Sequence, residues 1–88
     1  MHLQKHLICG IHITERVPHA IQVQEILTQY GGYIKTRLGL HDVDDDFNSP
    51  NGLLLVEFLD DENKFSEFIK SLEAIEGVEV KQMIFEHP

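Results

Sequence analysis

The sequence predicts an α+β fold: a four-stranded antiparallel sheet with two helices packed on one face. Three observations predict it. Four segments read as strands, two segments have helical spacing, and their order along the chain is β-α-β-β-α-β.

The first strand is read from Leu7, Cys9, Ile11 and Ile13, which alternate with His6, Ile8, Gly10 and His12. Pro18 then suits the first turn of a helix, where its missing N–H costs nothing. Ala20, Val23, Ile26, Leu27 and Tyr30 recur at helical spacing, and Gly31 is expected to supply a left-handed stop. Tyr33 to His41 reads as the second strand, with Ile34, Thr36, Leu38 and Leu40 expected on one face. Asp42 to Gly52 is a polar loop that ends in the turn signal Ser49-Pro50-Asn51-Gly52. Leu53 to Leu59 is the third strand. Asp60 or Asp61 suits the cap of a second helix, whose Phe65, Phe68, Ile69, Leu72 and Ile75 form an apolar stripe. Gly77 ends that helix, and Val78 to Phe85 is the fourth strand.

With right-handed crossovers this order gives the ferredoxin-like βαββαβ sandwich. At 88 residues the chain is expected to form a single domain, residues 1–88. So small a domain has a thin core, and oligomerisation would stabilise it.

In such a sandwich one sheet face is left without helices. Leu54, Val56 and Phe58 belong to one face of the third strand; Leu53, Leu55 and Leu59 make the other apolar as well. Continuous apolar runs mark strands covered on both sides. Ile8, Met83 and Phe85 extend the second face. These residues, Ile8, Leu53, Leu55, Met83 and Phe85, are the expected subunit interface of a homo-oligomer, a dimer or a tetramer.

Charge narrows the function. Seven Lys and Arg against fifteen Asp and Glu leave a net charge of −8. Phosphate backbones need a basic face, so direct DNA binding is not expected. Lys35 and Arg37, placed on one face of the second strand, are the basic stripe the sequence offers. The longest apolar run, Leu53 to Val56, falls far short of the roughly 20 residues of a membrane span. No signal peptide is read in Met1 to His6, and the lone Cys9 fits a reducing cytoplasm.

One block carries a resemblance. Ile34-Lys35-Thr36-Arg37-Leu38-Gly39-Leu40-His41, following Val23-Gln24, Ile26-Leu27 and Tyr30-Gly31, resembles the regulators of the iron-only hydrogenase system, a small ACT-like family. The resemblance spans Ile8 to Phe85. It implies a stand-alone regulatory or sensor domain without catalytic residues, acting in transcription or on the hydrogenase system through a small effector or a protein partner. No helix-turn-helix or ribbon is read ahead of the first strand, so direct operator contact is not expected.

ACT-like domains hold effectors by the loop after strand 1, here Thr14, Glu15, Arg16 and Val17. The following helix would direct free N–H groups and a partial positive charge at this loop. Arg16 would add a bidentate contact, so a small anionic effector is favoured. Unlike many amino-acid-binding ACT domains, this loop carries no glycine. The competing reading is that Glu15 and Arg16 are solvated turn residues.

Other constellations are weaker. Asp42, Asp44 and Asp46 mimic the start of an EF-hand, but Phe47 replaces the required Gly and Leu53 the bidentate Glu. A solvated acidic loop is the simpler reading. Six histidines and Cys9 raise a transition-metal sensor similar to the C-terminal domain of the nickel-responsive repressor. His6 and His12 share a strand face but lie about 20 Å apart, so a site would have to be assembled between strands or subunits. Cys9 shares the face of Leu7 and Ile11 and is expected in the core. Acylphosphatases share the fold, and Arg16 stands in the corresponding loop, but their glycine-rich phosphate cradle is missing. The expectation is therefore no enzyme, no cofactor and no metal.

Overall fold

The computed structural model describes residues 3–14, 16–40 and 52–88; for 16–18 and 40 it describes the backbone alone. The chain runs β1 (Gln4–Ile13), α1 (Arg16–Gln29), a 3-10 turn (Gly31–Tyr33), β2 (Ile34–Leu40), β3 (Gly52–Phe58), α2 (Glu62–Glu73) and β4 (Val78–His87). The sheet order is β2-β3-β1-β4 with every neighbour antiparallel. This is the expected ferredoxin-like α+β sandwich.

The alternation in β1 decides its burial. Leu7, Cys9, Ile11 and Ile13 are all buried, as are Val56 and Phe58 of β3 and Val80 of β4. Val23, Leu27 and Tyr30 of α1 and Phe65, Phe68, Ile69 and Leu72 of α2 close over them in one core. Phe58 is its centre. Its ring lies 5.0 Å from Phe68, 5.4 Å from Phe65 and 5.7 Å from Tyr33, and Tyr33 stacks on it with planes only 5° apart. Offset and tilted pairs of this kind add to the area term.

Asp61 caps α2, its carboxylate accepting from the Lys64 backbone N–H at 3.1 Å. α2 ends at Glu73 with Ala74 as a right-handed cap, so Gly77 is not the stop of that helix; it lies in the turn before β4 with φ +84, the left-handed region that favours glycine. The Thr14 N–H donates to the Gly77 carbonyl at 2.7 Å, tying the end of β1 to the turn before β4.

Two further expectations need correction. Gly31 is not a left-handed stop; among the described glycines only Gly77 has a positive φ. The chain keeps turning right-handed as a 3-10 turn, with Tyr33 N–H donating to Tyr30 O at 2.9 Å. That turn carries half-buried Tyr33 onto Phe58. The face assignment of β2 also changes. The register pairs Ile34 with Phe58 but Thr36 with Glu57, a bulge that places two residues of β2 against one step of β3. Ile34 therefore lies on the helix-covered face, whereas Thr36, Leu38 and Leu40 lie on the open one.

Candidate functional site

The open sheet face is built by register. Across the sheet run the rows Leu40, Leu53, His12, Glu79; then Leu38, Leu55, Gly10, Lys81; then Thr36, Glu57, Ile8, Met83. His6 and Phe85 form the next pair between β1 and β4. All five residues expected at an interface, Ile8, Leu53, Leu55, Met83 and Phe85, thus lie on this one face, joined by Leu38. Leu38 is 52% exposed, Met83 49% and Phe85 53%. Gly10 keeps the middle of the face low: a Cβ there would meet the Leu55 side chain at 3.6 Å.

A polar cluster borders this apolar band. His6 Nδ1 lies 2.8 Å from the Glu57 carboxylate, and Lys35 Nζ lies 3.6 Å from the same oxygen. The hydrogen bond to His6 and the nearby Lys35 charge hold the Glu57 carboxyl below its usual range. His87 stands beside His6, with the two Nε2 atoms 3.1 Å apart and the ring centroids 5.0 Å apart. No local pattern marks this cluster: β4 reads from sequence as ending at Phe85, and only the register brings His87 beside His6.

On the helix-covered side of that sheet edge, Lys5 donates to Glu62 and lies 3.7 Å from Glu86. The Lys5 backbone N–H donates to Asp60 at 3.2 Å. These contacts fasten the start of α2 to β1.

The expected effector loop is described only in part. Thr14 is exposed and held by its bond to Gly77, and α1 begins at Arg16. Glu15 lies outside the described residues, as do the side chains of Arg16, Val17 and Pro18. Beyond the first turn of α1, His19, Gln22, Glu25 and Ile26 line a shallow groove of about 490 Å³ against Ala74, Ile75 and Glu76. His41, the Asp42–Asp46 run and the Ser49–Asn51 turn also lie outside the described residues.

Cys9 is fully buried, and loss of hydration pushes its thiol up to about 12. It is a core residue. Among the described residues no group of three or more His, Cys, Asp or Glu is placed to hold a metal ion. No described helix is long and apolar enough to cross a membrane.

No family model matches the chain, and no curated protein matches it. Solved structures do. An uncharacterised protein from Thermotoga maritima is 21% identical, with a TM-score of 0.78 over 96% of this chain and 99% of that one. A nitrogen regulatory PII-like protein from Thiomonas intermedia, in its apo form, is 12% identical with a TM-score of 0.54 over 98% of this chain and 95% of its own. The same protein has been solved bound to ADP, AMP and acetate. A formyltetrahydrofolate deformylase from Pseudomonas putida matches 89% of this chain with 28% of its length, at 19% identity and a TM-score of 0.53. These likenesses establish a shared ferredoxin-like fold.

Proposed function

We propose that this chain is a non-catalytic regulatory domain that assembles through its open sheet face and binds a small effector or a protein partner. The observation that carries this reading is that face. Leu38, Leu53, Leu55, Ile8, Met83 and Phe85 place apolar side chains from all four strands on the open face, while the chain's own helices cover the other side. Apolar area left in water favours association at roughly 25 cal/mol per Å² buried.

Two further points support it. The fold is shared with a nitrogen regulatory PII-like protein that has been solved bound to ADP, AMP and acetate. The Ile34–His41 block resembles the regulators of the iron-only hydrogenase system, which makes that system the finer expectation. A cytoplasmic setting suits the reduced, buried Cys9.

The effector is expected at Thr14 to Val17, where the N-terminal end of α1 favours an anionic group. Calorimetry and thermal unfolding with acetate, bicarbonate, AMP and ADP test this on the intact chain and on Arg16→Ala. Loss of Arg16 should weaken an anionic ligand by about 1.5–3 kcal/mol, the range for hydrogen bonds to charged groups, and leave folding unchanged. A monomeric chain that no anion stabilises would overturn the proposal. So would turnover of an acyl phosphate, which would move the chain to the enzyme class.

A further inference from the structure

The geometry points to a transition-metal chelate formed by His6 and His87 through their Nε2 atoms. His6 Nδ1 faces the Glu57 carboxylate at 2.8 Å, and His87 Nδ1 faces the Pro88 backbone oxygen at 3.1 Å. Both partners are acceptors only, so each Nδ1 must carry its proton and donate. In a neutral imidazole the other nitrogen then bears a bare lone pair. Two such lone pairs meet across 3.1 Å, and two acceptors at that distance repel unless a proton or a metal ion lies between them.

The spacing fits an ion. Two nitrogens 3.1 Å apart, each about 2.0–2.1 Å from a common centre, subtend an angle of about 100° there. That value lies between square and tetrahedral coordination. Ring positions agree. Rings aimed at one such centre would have centroids about 4.8 Å apart, whereas a linear N–H···N contact of this length would set them about 5.4 Å apart. The observed separation is 5.0 Å with planes 24° apart.

The protein also supplies the support that ligating histidines use. A carboxylate on the far nitrogen fixes tautomer and ring orientation and raises ligand basicity. Glu57 does this for His6, and Lys35 steadies Glu57. Glu57 occupies Nδ1, so it orients the ligand and does not join the coordination sphere. The diagonal register of β1 and β4 makes the pair possible: His6 opposes Phe85, and His87 lies two residues on, upon the same face. His87 is exposed and His6 half-buried, which leaves water access to the remaining positions on an ion. Two imidazoles suit zinc, nickel or copper ions.

Titration calorimetry of the full chain with Zn²⁺ and Ni²⁺ tests the inference. A saturable event dependent on both rings is expected. His6→Ala and His87→Ala should each weaken it at least about tenfold, and Glu57→Gln by about tenfold, the range for such orienting partners. His12→Ala, six residues along the same strand, should leave it unchanged. The Nε2 resonances of both rings should shift together on adding Zn²⁺. Absence of saturable binding overturns the inference and leaves a pair bridged by a proton. Binding that survives both alanine changes overturns it equally. Circular dichroism of each variant separates a lost ligand from a lost fold. The inference does not depend on the effector reading, and its failure leaves the anion and association tests untouched.

Discussion

Lys35 and Arg37, two residues apart in β2, engage opposite faces of the sheet. Lys35 reaches Glu57 on the open face, whereas Arg37 pairs in register with buried Val56 and donates to Gln24 of α1 at 3.3 Å. The bulge between Ile34 and Thr36 precedes this arrangement, and it splits the basic stripe that the sequence offered. Each cation is also committed to a neighbour on its own side.

With that stripe divided and a net charge of −8, the isolated chain should show no sequence-specific binding to duplex DNA. Gel shifts across a salt series check this. A specific, salt-sensitive complex at physiological ionic strength would show that a basic surface had been overlooked.

Gly77 should be intolerant of any side chain. At φ +84 an added Cβ is strained, and it would approach the His19 ring at 3.0 Å and the Thr14 carbonyl oxygen at 3.1 Å. The left-handed conformation alone costs roughly 1–2 kcal/mol for an L-residue. Gly77→Ala should therefore destabilise by at least that amount in urea unfolding. Gly31→Ala, where a Cβ meets nothing within 4 Å, should stay within about 0.5 kcal/mol. Equal effects at the two positions would contradict the clamp between β1 and the turn before β4.

The sequence made most of this fold legible because period-2 and period-3.6 patterns are local. Leu7, Cys9, Ile11 and Ile13 alternate, and Phe65, Phe68, Ile69 and Leu72 recur on one helix face; all eight are buried. Tertiary events were not legible. The bulge in β2 has no local marker, since Ile34-Lys35-Thr36 reads as ordinary strand, and only pairing with Phe58 and Glu57 reveals it. Gly31 looked like a helix stop because glycine favours that role, but the chain continues as a 3-10 turn that sets Tyr33 on Phe58, a contact no local pattern encodes. The apolar members of the open face were readable from β3. The His6–Glu57–His87 cluster was not, because it draws on three strands whose register no single segment encodes.

Phe58 should be the most costly side chain to remove. It is fully buried and touches the rings of Tyr30, Tyr33, Phe65 and Phe68. Phe58→Ala should cost about 3–5 kcal/mol, a large part of the stability of so small a domain. Thermal or urea unfolding measures it, and a loss below about 1 kcal/mol would deny that the aromatic cluster is the core's centre.

Cys9 gives a pH prediction with a definite sign. Burial raises its thiol from 9.0 to about 12, so the folded chain holds the proton that the unfolded chain releases. This contribution to stability is complete below pH 9.0 and is lost progressively as pH rises toward about 12. Cys9→Ala should flatten that alkaline decline. In the native chain at neutral pH, a thiol reagent should label Cys9 only at the rate of unfolding. Rapid labelling without denaturant would place Cys9 outside the core.

Leu55→Glu should separate association from folding. Leu55 lies at the centre of the open face, between Leu38 and Gly10 in register, with its side chain reaching over Gly10. A glutamate there keeps the strand, since the helix-covered core on the other side is untouched. It would bring a carboxylate into any interface formed on this face. An unpaired charge buried in that way costs several kcal/mol, enough to dissociate an ordinary dimer at micromolar concentration. Sedimentation or light scattering should therefore show the unmodified chain as at least a dimer and Leu55→Glu as a folded monomer. Thr36→Glu, on the same face but toward its β2 edge, should weaken association less. If the unmodified chain is a monomer at micromolar concentration, the open face is covered by another kind of partner, and association through Leu55 fails. If Leu55→Glu remains the same oligomer with native circular dichroism, the subunits meet elsewhere.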